Sequence, residues 1–150
     1  MATPTDEGTE PLRLWLLWKQ ASEVVRCAIV RDVSAQSIMN EAELTVLVHL
    51  NSAGGTVRQN VLAVSTGWDR SRLSHVLTRM ENQELVSRKR LTNGVEISMQ
   101  PAGRRAIDES QATLHGAIAD HLTGALTDAQ RNAFEEILTA LVARNATQQA

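Results

Sequence analysis

The chain has 150 residues, 43% of them hydrophobic and 21% charged, with a formal net charge of −2, a composition that fits one globular domain with a real core. A single cysteine excludes an internal disulfide framework and fits a reducing compartment. No apolar run approaches the roughly 18 residues of a membrane span, and no charged-then-apolar leader is present, so a soluble cytoplasmic protein with no membrane partner is expected.

Met1 to Glu10 is polar and acidic, has nothing to bury, and is expected to be a disordered tail. Pro11 can open a helix, because its missing amide costs nothing in a first turn. Leu14, Leu17, Trp18, Ala21, Val24, Val25, Ala28 and Ile29 then follow at helical spacing to about Val33. Trp15 widens the apolar surface beyond what one small domain can cover, which points to a partner chain. The alternative is that Trp15 and Trp18, with His49, line a ligand cavity. Cys27 reads as a small buried hydrophobe within this helix.

Asn40-Glu41-Ala42-Glu43 resembles a capping box, and the helix it starts carries Leu44, Leu47 and Val48 until Asn51-Ser52-Ala53-Gly54-Gly55 stops it. Val57 to Ser65 predicts a short helix with Leu62 and Ala63 facing inward, and Gly67 falls where a tight turn is needed. Asp69 is an N-cap type of residue. After it Leu73, Val76, Leu77 and Met80 form one stripe, while Arg70, Ser71, Arg72, Ser74, His75, Thr78 and Arg79 occupy the other face. That face carries no acid after Asp69 until Glu81, whereas a merely solvated face mixes both signs. Two helices joined by such a turn are a helix-turn-helix, whose second helix is sized for the DNA major groove.

Leu85 to Leu91 and Val95 to Met99 are strand-like runs around Thr92-Asn93-Gly94. Asn-Gly predicts a hairpin with a type I′ turn, in which both residues take positive φ. A helix-turn-helix followed by this basic hairpin is a winged helix. Alternation sends Arg88 and Arg90 to one face and Lys89 to the other. Pro101 opens a fifth helix with Ile107, Leu114, Ile118, Leu122 and Ala125, and Thr127-Asp128-Ala129-Gln130 is a second capping box. Phe134, Ile137, Leu138 and Leu141 stripe the last helix, and the tail from Arg144 is polar and expected to fray. The predicted order is four helices, two strands and two helices, with no repeats. The fold class is mainly α with a β-hairpin wing. Residues 36–100 are expected to form the DNA-binding lobe, and residues 11–35 and 101–146 are expected to be the dimerisation helices, as the resemblance named below implies.

The net charge conceals an uneven distribution. From Val57 to Arg105 nine cations face four acids, a surplus of five, while the rest of the chain has six cations against thirteen acids. Such a local surplus is what steers a polyanion. Thirteen of the fifteen cations are arginines, the side chain suited to bidentate contacts with phosphate and guanine.

The order of elements, and above all Gly67-Trp68-Asp69-Arg70-Ser71-Arg72-Leu73-Ser74, Thr78-Arg79-Met80-Glu81 and Glu84-Leu85-Val86-Ser87-Arg88, resembles the MarR family of bacterial transcription regulators. The likeness runs from about Leu12 to Val142. Family members enter the wing through Gly-Leu-Val-x-Arg and close it with Leu-Thr-x-x-Gly, here Met99-Gln100-Pro101-Ala102-Gly103. The resemblance implies a homodimer built by the first and last helices, with Leu14, Leu17, Trp18, Leu122, Phe134, Ile137, Leu138 and Leu141 at its interface. It also implies palindromic double-stranded operators read by paired recognition helices, and release of DNA by a small aromatic or phenolic effector. The hairpin is about three residues shorter than in the family, and Asn93-Gly94 stands where a minor-groove arginine is usual.

The resulting DNA-contact set is Arg58, Gln59, Asp69, Arg70, Ser71, Arg72, Ser74, His75, Arg79, Arg88, Lys89 and Arg90. Ser71, Arg72 and His75 are expected at base edges. Arg70, Ser74 and Arg79 are expected nearer phosphates, as are Arg58 at the start of the third helix and Arg88, Lys89 and Arg90 in the wing. Peroxide-sensing family members use a cysteine early in the first helix with tyrosines, whereas Cys27 lies late and the chain has no tyrosine. A metal-sensing regulator is an alternative, resting on His115 and His121 with Asp108 or Asp120, although no His-x3-His pair occurs. A winged helix used purely for protein interaction is another. No phosphate loop, nucleophile elbow or catalytic carboxylate pair is present, so neither enzyme activity, a resident metal nor a cofactor is expected. The regulator is expected to be a cytoplasmic, nucleoid-associated repressor.

Overall fold

A computed structural model describes residues 10–37 and 39–146. It contains α1 (Glu10–Ser34), α2 (Glu41–Ser52), β1 (Thr56–Arg58), α3 (Gln59–Thr66), α4 (Arg70–Asn82), β2 (Val86–Leu91), β3 (Gly94–Met99), α5 (Pro101–His121) and α6 (Asp128–Ala146), with a 3-10 turn at Thr123–Ala125. The chain divides into two compact units, one of Val30–Leu114 and one of the residues up to Ile29 and from His115 onward. Residues 36–100, the expected lobe, lie within the first of these units.

The core of the Val30–Leu114 unit follows the apolar stripes. Leu47, Leu50 and Val46 of α2, Leu62 of α3, Leu73, Leu77 and Met80 of α4, and Ile97 of β3 are almost completely buried. Burying each such side chain contributes about 1.5–3 kcal/mol relative to leaving it in water. Ala63, expected inward beside Leu62, is only half-buried.

Both helix starts read as capping boxes are formed. Asn40 Oδ1 accepts the Glu43 amide at 3.0 Å and Glu43 Oε2 accepts the Asn40 amide at 3.2 Å. Thr127 Oγ1 accepts the Gln130 amide, and Gln130 Oε1 accepts that of Thr127. Each exchange satisfies two amides that a helix start would otherwise leave unpaired.

The sheet differs from the expected hairpin. Val57 and Arg58, expected inside the third helix, belong instead to a third strand, Thr56–Arg58, and the sheet order is β1-β3-β2, all antiparallel. Gly54 and Gly55, at φ of 81° and 96°, let the chain turn directly from α2 into β1. The Gly55 carbonyl then accepts the Met99 amide at 2.8 Å. The β-branched Thr56 and Val57 suit the pleat, and α3 begins only at Gln59.

The hairpin turn also falls one residue earlier than expected. Leu91 pairs with Gly94, leaving Thr92 and Asn93 as the two turn residues. Asn93 is not among the positive-φ residues; the positive φ, 136°, is taken by Gly94. A type I′ turn over Asn93-Gly94 is therefore not formed.

In the other unit α1 starts at Glu10, the last residue of the expected tail; the remainder of that tail and the last four residues lie outside the described residues. α5 ends at His121, before Leu122 and the 3-10 turn, so the fifth helix is shorter than expected. Cys27 is exposed rather than buried. It lies on the polar side of α1, where its Sγ is 3.4 Å from Glu23 Oε1 and 3.5 Å from Arg26 Nη2. The Arg26 guanidinium, and then the thiol, hold the Glu23 carboxyl down to about 2. Cys27 shares this exposure with most of α1, in which only Val33 is buried within the chain. Among the described residues no helix is long and apolar enough to cross a membrane.

Candidate nucleic-acid interface

The end of α3 and the start of α4 fix the presentation of the basic face. Gly67, at φ 67°, closes α3 in a left-handed cap. Its amide bonds the Val64 carbonyl, and the Trp68 amide reaches back to the Ala63 carbonyl, both at 3.2 Å. This paired closure requires positive φ at its apex, which glycine adopts without a Cβ penalty. Two residues on, Asp69 caps α4, its Oδ1 accepting the Arg72 amide at 2.8 Å.

α4 buries Leu73, Val76, Leu77 and Met80, as the stripe predicted. Arg70, Ser71, Arg72, His75, Thr78 and Arg79 are exposed and Ser74 is half-buried. The first turn of α4 contains no acid, so Arg70 and Arg72 stand at the positive end of the helix dipole with only the Asp69 cap to offset them. Cations there are disfavoured by a few tenths of a kcal/mol each, on the order of 0.3–1. An anion arriving at that end relieves the cost.

The arginines separate into free and committed groups. Arg79 Nε donates to Glu43 Oε1 at 2.9 Å, and the Glu43 side chain is only 5% exposed. Arg79 therefore joins α4 to α2. Arg88 is tied more fully: its Nε donates to Glu81 Oε2 at 2.7 Å, its Nη2 to Thr78 Oγ1 at 3.0 Å, and its backbone amide to Glu81 Oε1 at 2.9 Å. Alternation does place Arg88 and Arg90 on one face, but that face also carries the buried Val86. Arg88 consequently meets α4, while Arg90, nearer the tip, is exposed. Lys89 is exposed on the other face, opposite Glu96.

Arg58 is the last residue of β1 and the N-cap of α3, with no side-chain capping bond. Its Nη1 instead donates to Asn93 Oδ1 at the wing tip, 3.2 Å away. The short wing thus gains a neighbouring cation from β1. Gln59, the first residue of α3, is half-buried.

The residues expected at a dimer interface are mostly uncovered in the single chain. Leu14 is 63% exposed, Leu17 55%, Ile137 56% and Leu141 48%. Trp18 is also exposed, and Leu122, Phe134 and Leu138 are half-buried. Trp15 and Trp18, two of the three expected ligand-cavity residues, are exposed on α1, where the Lys19 ammonium lies 5.9 Å from the Trp15 ring centre. His49, in the other unit, is half-buried, with Nδ1 2.8 Å from the Thr45 carbonyl of its own helix. Among the described residues no group of three or more histidines, cysteines or carboxylates is placed to hold a metal ion.

A chain of six helices and a three-stranded antiparallel sheet, in which a helix-turn-helix leads into a hairpin, has a winged helix-turn-helix fold. It is the fold of the MarR family transcriptional regulators. AbsC from Streptomyces coelicolor, a MarR family transcriptional regulator, is 20% identical and superposes with a TM-score of 0.79 over 98% of this chain and 99% of its own. Sco3205 from the same organism, solved in complex with DNA, is 21% identical, with a TM-score of 0.77 over 94% of this chain and 89% of its own. CouR from Rhodococcus jostii RHA1, bound to p-coumaroyl-CoA, is 21% identical, with a TM-score of 0.74 over 86% of this chain and 91% of its own. Residues 38–97, less than half of the chain, match the model of a domain of unknown function, DUF7343. No curated protein matches the sequence.

Proposed function

We propose that this chain is a sequence-specific regulator of transcription that binds double-stranded DNA through α4, and not an enzyme. The observation that carries the reading is the exposed face of α4. Arg70, Ser71, Arg72 and His75 project from a rigidly capped helix start that has no acid in its first turn. Arg72, Ser71 and His75 are assigned to base edges, and Arg70, Lys89 and Arg90 to phosphates. Arg58 is assigned to a phosphate near the wing tip. The DNA-bound form of Sco3205, with the same fold, supports this use of the lobe.

The uncovered apolar residues of α1 and α6 support a homodimer, since many large apolar side chains left in water mark an interaction surface. A two-fold dimer presents two recognition helices to palindromic half-sites about 10 base pairs apart. We assign it the role of a cytoplasmic repressor responsive to a small aromatic effector, a reading supported by the ligand-bound form of CouR. The test has two parts. Fragments of the source genome are selected on the purified protein, and competition against random duplex should yield a preferred, palindromic site. Sedimentation should give a dimer at micromolar concentration. Binding that ignores salt and sequence, or a folded monomer, refutes the corresponding part.

A further inference from the structure

Trp68 lies outside the set of contact residues assigned above, yet it touches the central one. The guanidinium carbon of Arg72 sits 4.4 Å from the centre of the Trp68 ring. Both residues are held by their backbones. The Trp68 amide closes the end of α3 on the Ala63 carbonyl, and the Arg72 amide is bound by the Asp69 cap. Trp68 is half-buried while Arg72 is exposed, so an aromatic surface carries a cation that faces solvent.

The manner in which Arg72 is held differs from that of its neighbours. Arg79 spends its Nε on Glu43, and Arg88 spends Nε and Nη2 on Glu81 and Thr78. A cation held over a ring spends no hydrogen-bond acceptor, so Arg72 keeps N–H donors on the guanidinium edge for a partner. That planar edge matches the O6 and N7 acceptors of guanine in the major groove, and restricting its rotation lowers the entropy lost when the pair forms.

We propose that Trp68 is the positioning residue of the base reader, holding the Arg72 guanidinium as a preset edge for one guanine in each half-site. The inference rests on the DNA-binding reading given above. Trp68 itself touches neither base nor phosphate, and it acts through Arg72.

The test measures wild type, Trp68→Phe, Trp68→Leu, Arg72→Ala, Arg72→Lys and the double variant Trp68→Leu/Arg72→Ala. Each is titrated on the selected site, on single-base-pair variants of it and on random duplex, at several salt concentrations. Trp68→Leu should lower the ratio of specific to random binding about two- to fivefold. The loss should be confined to one base pair per half-site, with the salt slope unchanged because no phosphate contact is removed. Trp68→Phe, which keeps an aromatic face, should retain most of the preference. Arg72→Lys, which keeps the charge without the plane, should lose preference at the same base pair, and this arm stands even if Trp68→Leu fails to fold. In the Arg72→Ala background Trp68→Leu should have no further effect. As an independent readout, with Trp15 and Trp18 changed to Phe, Arg72→Ala should alter the emission of the remaining indole in the free protein. Equal losses on specific and random DNA, an undiminished Trp68 effect without Arg72, or unaltered emission would each make Trp68 a packing residue and overturn the inference alone. A wild type with no preferred fragment refutes the DNA-binding reading and the inference together.

Discussion

Replacing Arg88 by Ala separates a structural arginine from one that binds DNA. On sequence alone Arg88 belongs with Arg90 as a phosphate contact, whereas in the structure it bridges the wing to α4. Its side chain is 26% exposed and that of Glu81 30%. It donates to Glu81 and to Thr78, at 2.7 and 3.0 Å. Hydrogen bonds to charged groups contribute about 1.5–3 kcal/mol when well formed, and partial exposure reduces this pair toward the lower end. Arg88→Ala should therefore lower the unfolding free energy by about 2 kcal/mol. For a chain of this size that corresponds to a fall in Tm of roughly 4–8 °C.

The same substitution should leave the slope of log K against log[salt] unchanged for random duplex. Lys89→Ala and Arg90→Ala should each reduce that slope by about 0.9 per protomer, the contribution of one released phosphate contact, with little effect on Tm. Glu81→Ala supplies the converse, because it frees Arg88 and should raise affinity for any sequence while lowering Tm. The assays are thermal denaturation and titration of labelled duplex from low to physiological salt. A slope that falls by 0.9 or more in Arg88→Ala, with Tm unmoved, would refute the assignment and return Arg88 to the DNA.

Substitutions at three further positions test how the lobe is built. Gly103→Ala places a Cβ against the Leu85 carbonyl, too close for either backbone to accommodate, so thermal denaturation should show a loss of several kcal/mol, roughly 3 or more, or failure to fold. Glu84, at φ 58°, occupies the left-handed position that ends α4, where Glu84→Gly should stabilise the protein by about 0.5–1 kcal/mol in urea unfolding; destabilisation would mean that the Glu84 side chain makes a compensating contact. Asp69→Ala removes the α4 cap and should cost about 1 kcal/mol, whereas Asp69→Ser should restore most of it.

The parts of the fold that are legible in the sequence are those in which a repeated local preference accumulates. The α4 stripe, the capping boxes at Asn40 and Thr127 and the glycine turn at Gly67 each combine several residues that favour one conformation, and each is formed. β1 is three residues long, too short for alternation to register, and its partner β3 lies some forty residues away. The Asn-Gly signal located the hairpin but not the turn residues. The pairing of Leu91 with Gly94 settles that, and it depends on how β2 and β3 align along their whole length. Cys27 was expected to be buried from its place among apolar residues, but α1 buries only Val33 within the chain.

The candidate site was legible as a helix face but not as a set of free charges. Of the nine cations between Val57 and Arg105, Arg79 and Arg88 bond to carboxylates, and Arg58 and Arg104 to the side-chain oxygens of Asn93 and Asn51. None of these pairings follows from helical or strand periodicity, because each partner belongs to a different element. Arg72 and Trp68 are four residues apart, but Trp68 precedes the N-cap, so the usual pairing of side chains one helical turn apart does not apply to it. The local surplus of charge therefore overstates what is available to a polyanion. Glu43 and Glu81 consume two cations to fix α4 against α2 and β2. In exchange, Arg70 and Arg72 project from a helix that has no freedom to turn them away.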